Sequence, residues 1–237
     1  MLRVRPELAH PWRVSAEEAA RIQRRLAGEV ALLRLPAEGE GAPRFAAGVD
    51  LAYDPAGARA WAAAVVMDER FRVVEERVVC GEPDMPYVRG YLAFREGRLT
   101  LAALSLLEHD VGVVFLDGHG VVHERGLGLA SHVGVLLGVP AVGVPKTPFH
   151  AIDHEPEKPR GSYYVLTKEW GAQGASIRLR AGSKPVYVSP GHLVDLDSAI
   201  ALVLRWSSGH HRVPEPLAAA HTLSRRAMAG EVPCVEA

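Results

Sequence analysis

The 237-residue chain is poor in three features that would narrow its class at once: cysteine, net charge and long apolar runs. Its two cysteines, Cys80 and Cys234, lie far apart in no metal-like spacing, so we expect no disulfide framework and a reducing compartment. A formal net charge of −1 gives no molecule-wide basic surface, so nucleic-acid binding would need a local patch. No signal-peptide pattern and no apolar run of roughly 18 residues is present. These absences predict a soluble, cytoplasmic protein with no membrane partner.

The residues that are present suit a well-cored globular protein. Apolar residues make up 48% of the chain and charged residues 23%, which is ordinary for one large domain, and we expect residues 1–237 to form a single domain. The basic residues are almost all arginine. Lysine occurs only at positions 146, 158, 168 and 184, which makes each lysine more informative.

The first half of the chain predicts one helix followed by an antiparallel meander. Ser15 and Glu18 form a capping box that opens a helix, whose apolar face continues to Leu33 and which ends before Pro36. Three apolar, β-prone runs follow at residues 45–53, 60–67 and 71–80. Their short connections predict neighbouring antiparallel strands.

The second half has the alternating rhythm of a parallel sheet. A helix through residue 107, a strand at 111–116, a helix at 128–137 and a strand at 139–144 form β-α-β units. Runs at 163–166, 177–179 and 186–188 predict further strands, and 194–205 and 217–228 predict closing helices. This order predicts an α/β fold with a ribonuclease-H-like mixed sheet, in which three antiparallel strands precede parallel β-α-β units and helices flank the sheet.

Acidic residues stand at positions where that sheet would bring them together. Asp50 interrupts an apolar strand, Asp117 ends another, and these two strands are neighbours in the predicted sheet. Glu96 follows in a helix-forming run, where a carboxylate needs a partner. A single Asp at a strand end commonly caps a turn, but three converging carboxylates suit magnesium or manganese and the in-line displacement of a phosphodiester.

The stretch PYVRGYLAFREG, residues 86–97, combines several of these signals. Pro86 and Tyr87 form a rigid turn that carries an exposed aromatic ring. Gly90 permits close approach of another backbone or a flat ligand, and the helix that follows carries Glu96.

Blocks spread over most of the chain, taken together, resemble the endonuclease V family, the deoxyinosine-directed repair nucleases. The blocks, in order, are AGVD (47–50), PYVRGYLAFRE (86–96), DGHG (117–120), GLASH (128–132), GVPK (143–146), YVSPGH (187–192), RVPEP (212–216) and His221.

The resemblance implies a ribonuclease-H-like fold and a magnesium ion, replaceable by manganese, at Asp50, Glu96 and Asp117. His221 would be a fourth catalytic position, and Lys146 would place positive charge beside the scissile phosphate. The implied reaction cuts the second phosphodiester bond on the 3′ side of deoxyinosine, leaves a 3′-hydroxyl and a 5′-phosphate, and keeps the base.

The resemblance also implies how a lesion is bound. Tyr87, with Pro86, would fill the gap left in the duplex when the base is turned out. Arg89 departs from the family, which usually has a second proline there, and would leave the loop less rigid or contact phosphate. The residues that would line the base pocket are Gly90, Leu92, Gly118, Gly120, Gly128 and Leu129. For Gly120 and Gly128, tight turns are an equal alternative.

Two other readings stay open from the residues. An inosine-directed or structure-specific ribonuclease would use the same carboxylates, and RNA that contains inosine is a possible partner beside damaged DNA. A non-catalytic nucleic-acid-binding protein would be expected to lack one of Asp50, Glu96 and Asp117. A serine hydrolase at Ser131 and His132 is disfavoured, since no nucleophile elbow surrounds that serine. We expect a monomer, and we expect His119, His123 and His132 only to support the site.

Overall fold

The computed structural model describes residues 2–149, 155–167 and 173–237. Five α-helices and nine strands are found in them. The helices are α1 (Ala16–Ala27), α2 (Leu92–Ser105), α3 (Leu129–Leu137), α4 (Leu196–Arg205) and α5 (Glu215–Met228). The strands are β1 (Phe45–Tyr53), β2 (Ala60–Asp68), β3 (Val73–Gly81), β4 (Val113–Leu116), β5 (Ala141–Gly143), β6 (Tyr163–Thr167), β7 (Gln173–Ile177), β8 (Val186–His192) and β9 (Val235–Glu236). Among the described helices, we find none with both the length and the apolar character needed to span a membrane.

One mixed sheet organises the fold, with the strand order β6-β7-β8-β5-β4-β1-β2-β3-β9. Strands β1, β2 and β3 form the antiparallel meander, β4 pairs parallel with β1, and β5 pairs parallel with β4. The expected ribonuclease-H-like architecture is confirmed. Because β1 and β4 are parallel neighbours, with Val49 opposite Leu116, their carboxyl-terminal ends meet at one edge of the sheet.

The two faces of the sheet are covered by different helices. Buried side chains of α1, α2 and α3 pack with Ala47 and Val49 of β1, whereas those of α4 and α5 pack with Ala46. Since successive side chains of a strand point to opposite faces, Asp50 faces α5 and Tyr53 faces α2. This alternation decides which helix supplies each strand residue with a partner.

Helix α1 is shorter than the sequence predicts. Ser15 caps it as expected and accepts a hydrogen bond from the Glu18 amide, but the helix ends at Ala27 instead of reaching Pro36. The residues after Ala27 lie beside the segment that precedes α4. There the amide of Leu193 donates to the Ala31 carbonyl, which gives that backbone a tertiary partner in place of a helical one. The predicted strand at 177–179 is also misplaced, because β7 ends at Ile177.

The expectation of unpaired cysteines is wrong. Cys80 and Cys234 form a disulfide bond, with their Cα atoms 5.7 Å apart. The bond forms because β9 lies parallel to β3, with Val79 opposite Val235, and so carries the end of the chain to the outer edge of the meander. A two-residue strand has no sequence pattern that would have predicted this pairing.

A histidine pair, half-buried His10 and fully buried His132, joins the chain before α1 to helix α3. His10 Nε2 and His132 Nε2 lie 2.7 Å apart, and His10 Nδ1 donates to the Pro11 carbonyl at 2.9 Å. His10 Nε2 must then accept from His132 Nε2, and His132 Nδ1 has no hydrogen-bond partner among the described residues. Burial lowers the pKa of both rings, that of His132 well below its usual range. The fold therefore holds both rings neutral.

This pair predicts acid-sensitive stability. The unfolded chain binds protons on both rings below about pH 6.5 while the folded chain excludes them, so stability is fully present above that pH and falls as the pH drops toward the lowered folded values. We expect a loss of about 1.4 kcal/mol per pH unit for each histidine in that window. Denaturant unfolding between pH 5 and 8 measures it. His132→Gln should lower the slope of the unfolding free energy against pH by the equivalent of about one proton, whereas His210→Gln, at an exposed position, should leave that slope unchanged. Equal slopes in the unaltered protein and both variants would contradict the assignment.

Candidate nuclease site

Three carboxylates from three elements meet at the edge where β1 and β4 end. Asp50 lies on β1, Asp117 directly follows β4, and Glu96 reaches the edge from the first turns of α2. The side chain of Asp50 faces α5 because Gly48, two residues earlier, packs directly on the α5 backbone at Pro216. The three positions predicted from the sequence are therefore brought to the same edge of the sheet.

Two of the carboxylates are paired with the other predicted catalytic side chains. His221 Nδ1, on α5, lies 2.6 Å from Asp50 Oδ2, and Lys146 Nζ, two residues beyond Val144, lies 2.5 Å from Asp117 Oδ2. Both side chains are exposed, and each contacts one oxygen of an acidic residue, so the described residues leave the second oxygen of each carboxylate for another ligand.

The third carboxylate has a partner that sequence reasoning missed. Tyr53 OH donates to Glu96 Oε1 at 2.9 Å. Burial raises the pKa of the tyrosine hydroxyl, and the Glu96 charge raises it further, so this group is a proton donor at any working pH. Nothing in the pattern of β1 distinguished Tyr53 from an ordinary half-buried aromatic residue.

The carboxylates repel one another. Burial is the main cause that raises the pKa of Glu96 to about 8. The neighbouring negative charges of Asp50 and Asp117 also raise it, whereas the hydrogen bond from Tyr53 lowers it. Burial and Asp117 likewise raise the pKa of Asp50, against the hydrogen bond from His221. For Lys146, burial alone would lower the pKa, but Asp117 and Asp50 outweigh it and keep the ammonium charged. The site concentrates negative charge that a cation would relieve.

The chemistry of this donor set fits a hard divalent cation, since all three groups are carboxylate oxygens with one oxygen each left over. The arrangement is not a finished cage. Among the described residues, no group of three or more His, Cys, Asp or Glu side chains stands in a ready-made metal-binding arrangement. The Asp117 charge raises the pKa of both Asp50 and Glu96, so the three carboxylates lie within electrostatic reach of one another.

A cavity of about 480 Å³ opens beside Asp117. Five of the predicted pocket residues line it, namely Gly90, Leu92, Gly118, Gly128 and Leu129. A side chain at Gly128 would overlap the His119 carbonyl, and one at Gly118 would press on Leu129, so both positions need glycine for space. Gly120 lies outside the lining, and a side chain there would overlap the Pro190 carbonyl, so close backbone packing is what requires glycine at this position. The cavity volume suits one nucleobase with its sugar.

The wall of the cavity is fixed at the carbonyl of Gly90, whose φ of +84° only glycine adopts easily. Three side chains donate to this oxygen: Gln23 at 3.0 Å, His123 at 3.0 Å and Arg125 at 2.9 Å. Gln23 comes from α1, is fully buried, and was not singled out by its sequence context. Of the three histidines expected to support the site, His123 therefore braces the cavity wall, whereas His132 turns away to His10.

The mouth of the cavity carries the predicted wedge. Tyr87 is 70% exposed and Pro86 is also exposed. Arg89 lies over the ring of Phe149 at 5.2 Å and donates to the Phe149 carbonyl, so it ties the wedge loop to the opposite rim. The contact with Phe149 restrains the wedge loop, as the second proline usual in the family would do. The sequence did not predict this contact.

Comparison with known proteins gives a consistent result. The family model for endonuclease V matches residues 25–222. The endonuclease V of Kosmotoga olearia is 38% identical over 218 residues, covering 92% of this chain and 94% of that protein, and the Streptomyces avermitilis protein is 44% identical with the same coverage. The crystal structure of the Streptomyces avermitilis protein superposes with a TM-score of 0.84, at 43% identity over 92% of this chain and 95% of that one.

A structure from Ciona intestinalis shares the fold at lower identity. That endonuclease V, solved in complex with a 24mer DNA containing an inosine followed by a ribo-adenosine, has a TM-score of 0.77 at 24% identity and covers 90% of this chain and 98% of that one. The family model matches most of the chain, and the relatives of about 40% identity are covered over nearly their whole length. The chain therefore belongs to the endonuclease V family, nucleases that hydrolyse phosphodiester bonds and generally use a divalent metal ion.

Proposed function

We propose that this protein is a metal-dependent endonuclease of DNA repair that nicks the second phosphodiester bond on the 3′ side of deoxyinosine. It leaves a 3′-hydroxyl and a 5′-phosphate and does not remove the base. Residues 1–237 act as one domain and as a monomer. The observation that carries the proposal is the position of a nucleobase-sized cavity directly beside Asp117, one of three converging carboxylates.

In this proposal Asp50, Glu96 and Asp117 hold magnesium, or manganese in its place, through the oxygens that their protein partners leave free. A divalent ion held there would supply charge stabilisation for an in-line phosphodiester displacement. His221 is fixed through Nδ1 on Asp50, so its Nε2 is the atom that can orient water or contact a phosphate oxygen. Lys146 keeps its charge beside Asp117 and attracts the scissile phosphate.

Lesion capture uses the cavity and the wedge loop. Extruding a base costs a few kcal/mol, and stacking of Tyr87 on the bases left behind offsets part of that cost. The extruded hypoxanthine enters between Gly90, Gly118 and Gly128, where backbone amides and carbonyls read its edge at close range. The exposure of Tyr87 at the mouth of the cavity supports this role.

Mapping the products on a single deoxyinosine duplex tests the proposed function. With magnesium, we expect one nick, one nucleotide beyond the bond adjacent to the lesion, with ends that a ligase seals directly. The same sequence with adenine is the control and should stay intact. A matched RNA strand with inosine separates the ribonuclease alternative: preferential cleavage of RNA, or equal cleavage of the adenine duplex, would contradict the proposal.

Tyr87→Ala should weaken lesion recognition without harming the fold. Base stacking on an aromatic side chain is worth about 1–3 kcal/mol, so we expect deoxyinosine nicking at limiting enzyme to fall about 5- to 150-fold. Tyr87→Trp should retain most activity because it keeps an aromatic face. The loss of nicking caused by Tyr87→Ala should be smaller on single-stranded deoxyinosine DNA, where no gap in a duplex has to be filled. An equal loss on both substrates would contradict the role of Tyr87 as a wedge.

A further inference from the structure

The hydroxyl of Tyr53 is a donor at the acidic edge to which the proposed function gives no task. It lies 2.9 Å from Glu96 Oε1. The other two carboxylates, Asp50 and Asp117, each accept a hydrogen bond on one oxygen from a side chain with a proposed catalytic role. Tyr53 repeats this arrangement at Glu96.

The ring of Tyr53 is held in place by the packing of β1 on α2 and by the guanidinium of Arg95. Tyr53 is the last residue of β1 and faces α2, which carries Glu96. The guanidinium of Arg95 lies 4.4 Å from the ring centre, and Arg95 is itself anchored by the carbonyls of Met85 at 3.0 Å and Gly57 at 3.5 Å. A phenol fixed in this way presents its hydroxyl at one point, which is what orienting a carboxylate requires.

We infer that Tyr53 is a positioning residue that holds the Glu96 carboxylate in the orientation that receives the divalent cation. The inference rests on the proposed function, because it assumes that the cation binds at this edge. The hydroxyl donates to Oε1 and restrains the side-chain rotation of Glu96, which would leave Oε2 for the cation. Tyr53 does not touch substrate; it acts through Glu96.

Loss of the hydroxyl should act on metal affinity before anything else. A glutamate without its donor samples several side-chain rotations, and binding the cation must then select one of them. Partners that orient a metal ligand typically contribute 10- to 100-fold in metal affinity or activity. Tyr53→Phe removes only the hydroxyl and keeps the ring under Arg95.

Manganese binding to the DNA-free protein, measured by titration calorimetry, tests this role directly. We expect Tyr53→Phe to bind Mn²⁺ about 10-fold more weakly than the unaltered protein. The magnesium concentration that gives half-maximal nicking should rise by the same factor, while the rate at saturating magnesium recovers. Tyr163→Phe, which removes a hydroxyl from the exposed strand β6, is the matched control and should change neither quantity.

Further measurements keep the outcomes separate. Tyr53→Phe should unfold in EDTA at the same midpoint as the unaltered protein, since its ring packing is retained; a lower midpoint with unchanged Mn²⁺ affinity would make Tyr53 structural only and overturn the inference. If Glu96→Gln loses Mn²⁺ binding and Tyr53→Phe does not, the inference fails and the proposed function stands. If Glu96→Gln also binds Mn²⁺ normally, the metal site of the proposed function fails as well.

Discussion

Asp117→Ala is expected to lower the rate of magnesium-dependent nicking of a deoxyinosine duplex by about a thousandfold or more, and Asp50→Ala by a similar factor. Metal stabilisation of the transition-state charge is worth several kcal/mol, and each 1.36 kcal/mol changes the rate tenfold. Either substitution removes one of three oxygen ligands. Asp117→Ala also frees the Lys146 ammonium from its 2.5 Å contact, so the charge meant for the phosphate loses its anchor.

DNA binding should survive both substitutions. The wedge and the Gly90 part of the cavity wall are built from other residues, and alanine removes a negative charge that repels phosphate. Fluorescence anisotropy with a labelled deoxyinosine duplex in EDTA measures the affinity, which we expect to be equal to or higher than that of the unaltered protein. Exposed Asp110→Ala, which makes the same change of charge near the start of β4, is the matched control and should keep full activity. Full activity of Asp50→Ala or Asp117→Ala would refute the metal assignment.

The central sheet could be predicted because its signals are local. The run at residues 45–53 is β1 to the residue, and the positions of Asp50 and Asp117 at neighbouring strands followed from the order of elements. Helix α1 shows where such reasoning fails. Val30 and Leu33 continue its apolar period, but the backbone beyond Ala27 finds partners more than 160 residues away at Leu193, and tertiary pairing overrides the pattern.

In the candidate site, too, residues with a local sequence signal could be predicted and residues defined by distant contacts could not. Asp50 and Asp117 stood out as acids on apolar strands, and Glu96 as a carboxylate in a helix-forming run that needs a partner, whereas His221 and Lys146 gained weight only from resemblance to a family. Tyr53 and Gln23 carried no signal, because their roles arise from contacts that span 43 and 67 positions. A pattern confined to one strand or helix cannot report which distant backbone or carboxylate a side chain will meet.

The disulfide between Cys80 and Cys234 is expected to have the largest effect on stability. In the chain-entropy model, a crosslink over the 154 positions between them lowers the conformational entropy of the unfolded chain. This stabilises the folded state by about 5 kcal/mol relative to the unfolded state. The bond also pins β9 to β3, where Arg59 contacts both Cys80 Sγ and the Glu236 carboxylate. We therefore expect reduction to lower the melting temperature by roughly 10 °C.

Thermal unfolding with and without a thiol reductant measures this effect, with thiol titration to establish that both cysteines are reduced. Cys234→Ala is the informative variant, because Cys234 is only partly buried and its loss leaves the packing of fully buried Cys80 intact. Its melting temperature should match that of the reduced protein and should not respond to reductant. If reduction leaves the melting temperature unchanged, then β9 is held by its backbone pairing and the Arg59 contacts alone, and the crosslink adds nothing. If Cys234→Ala melts well below the reduced protein, the difference measures packing of the Cys234 side chain instead of the covalent bond.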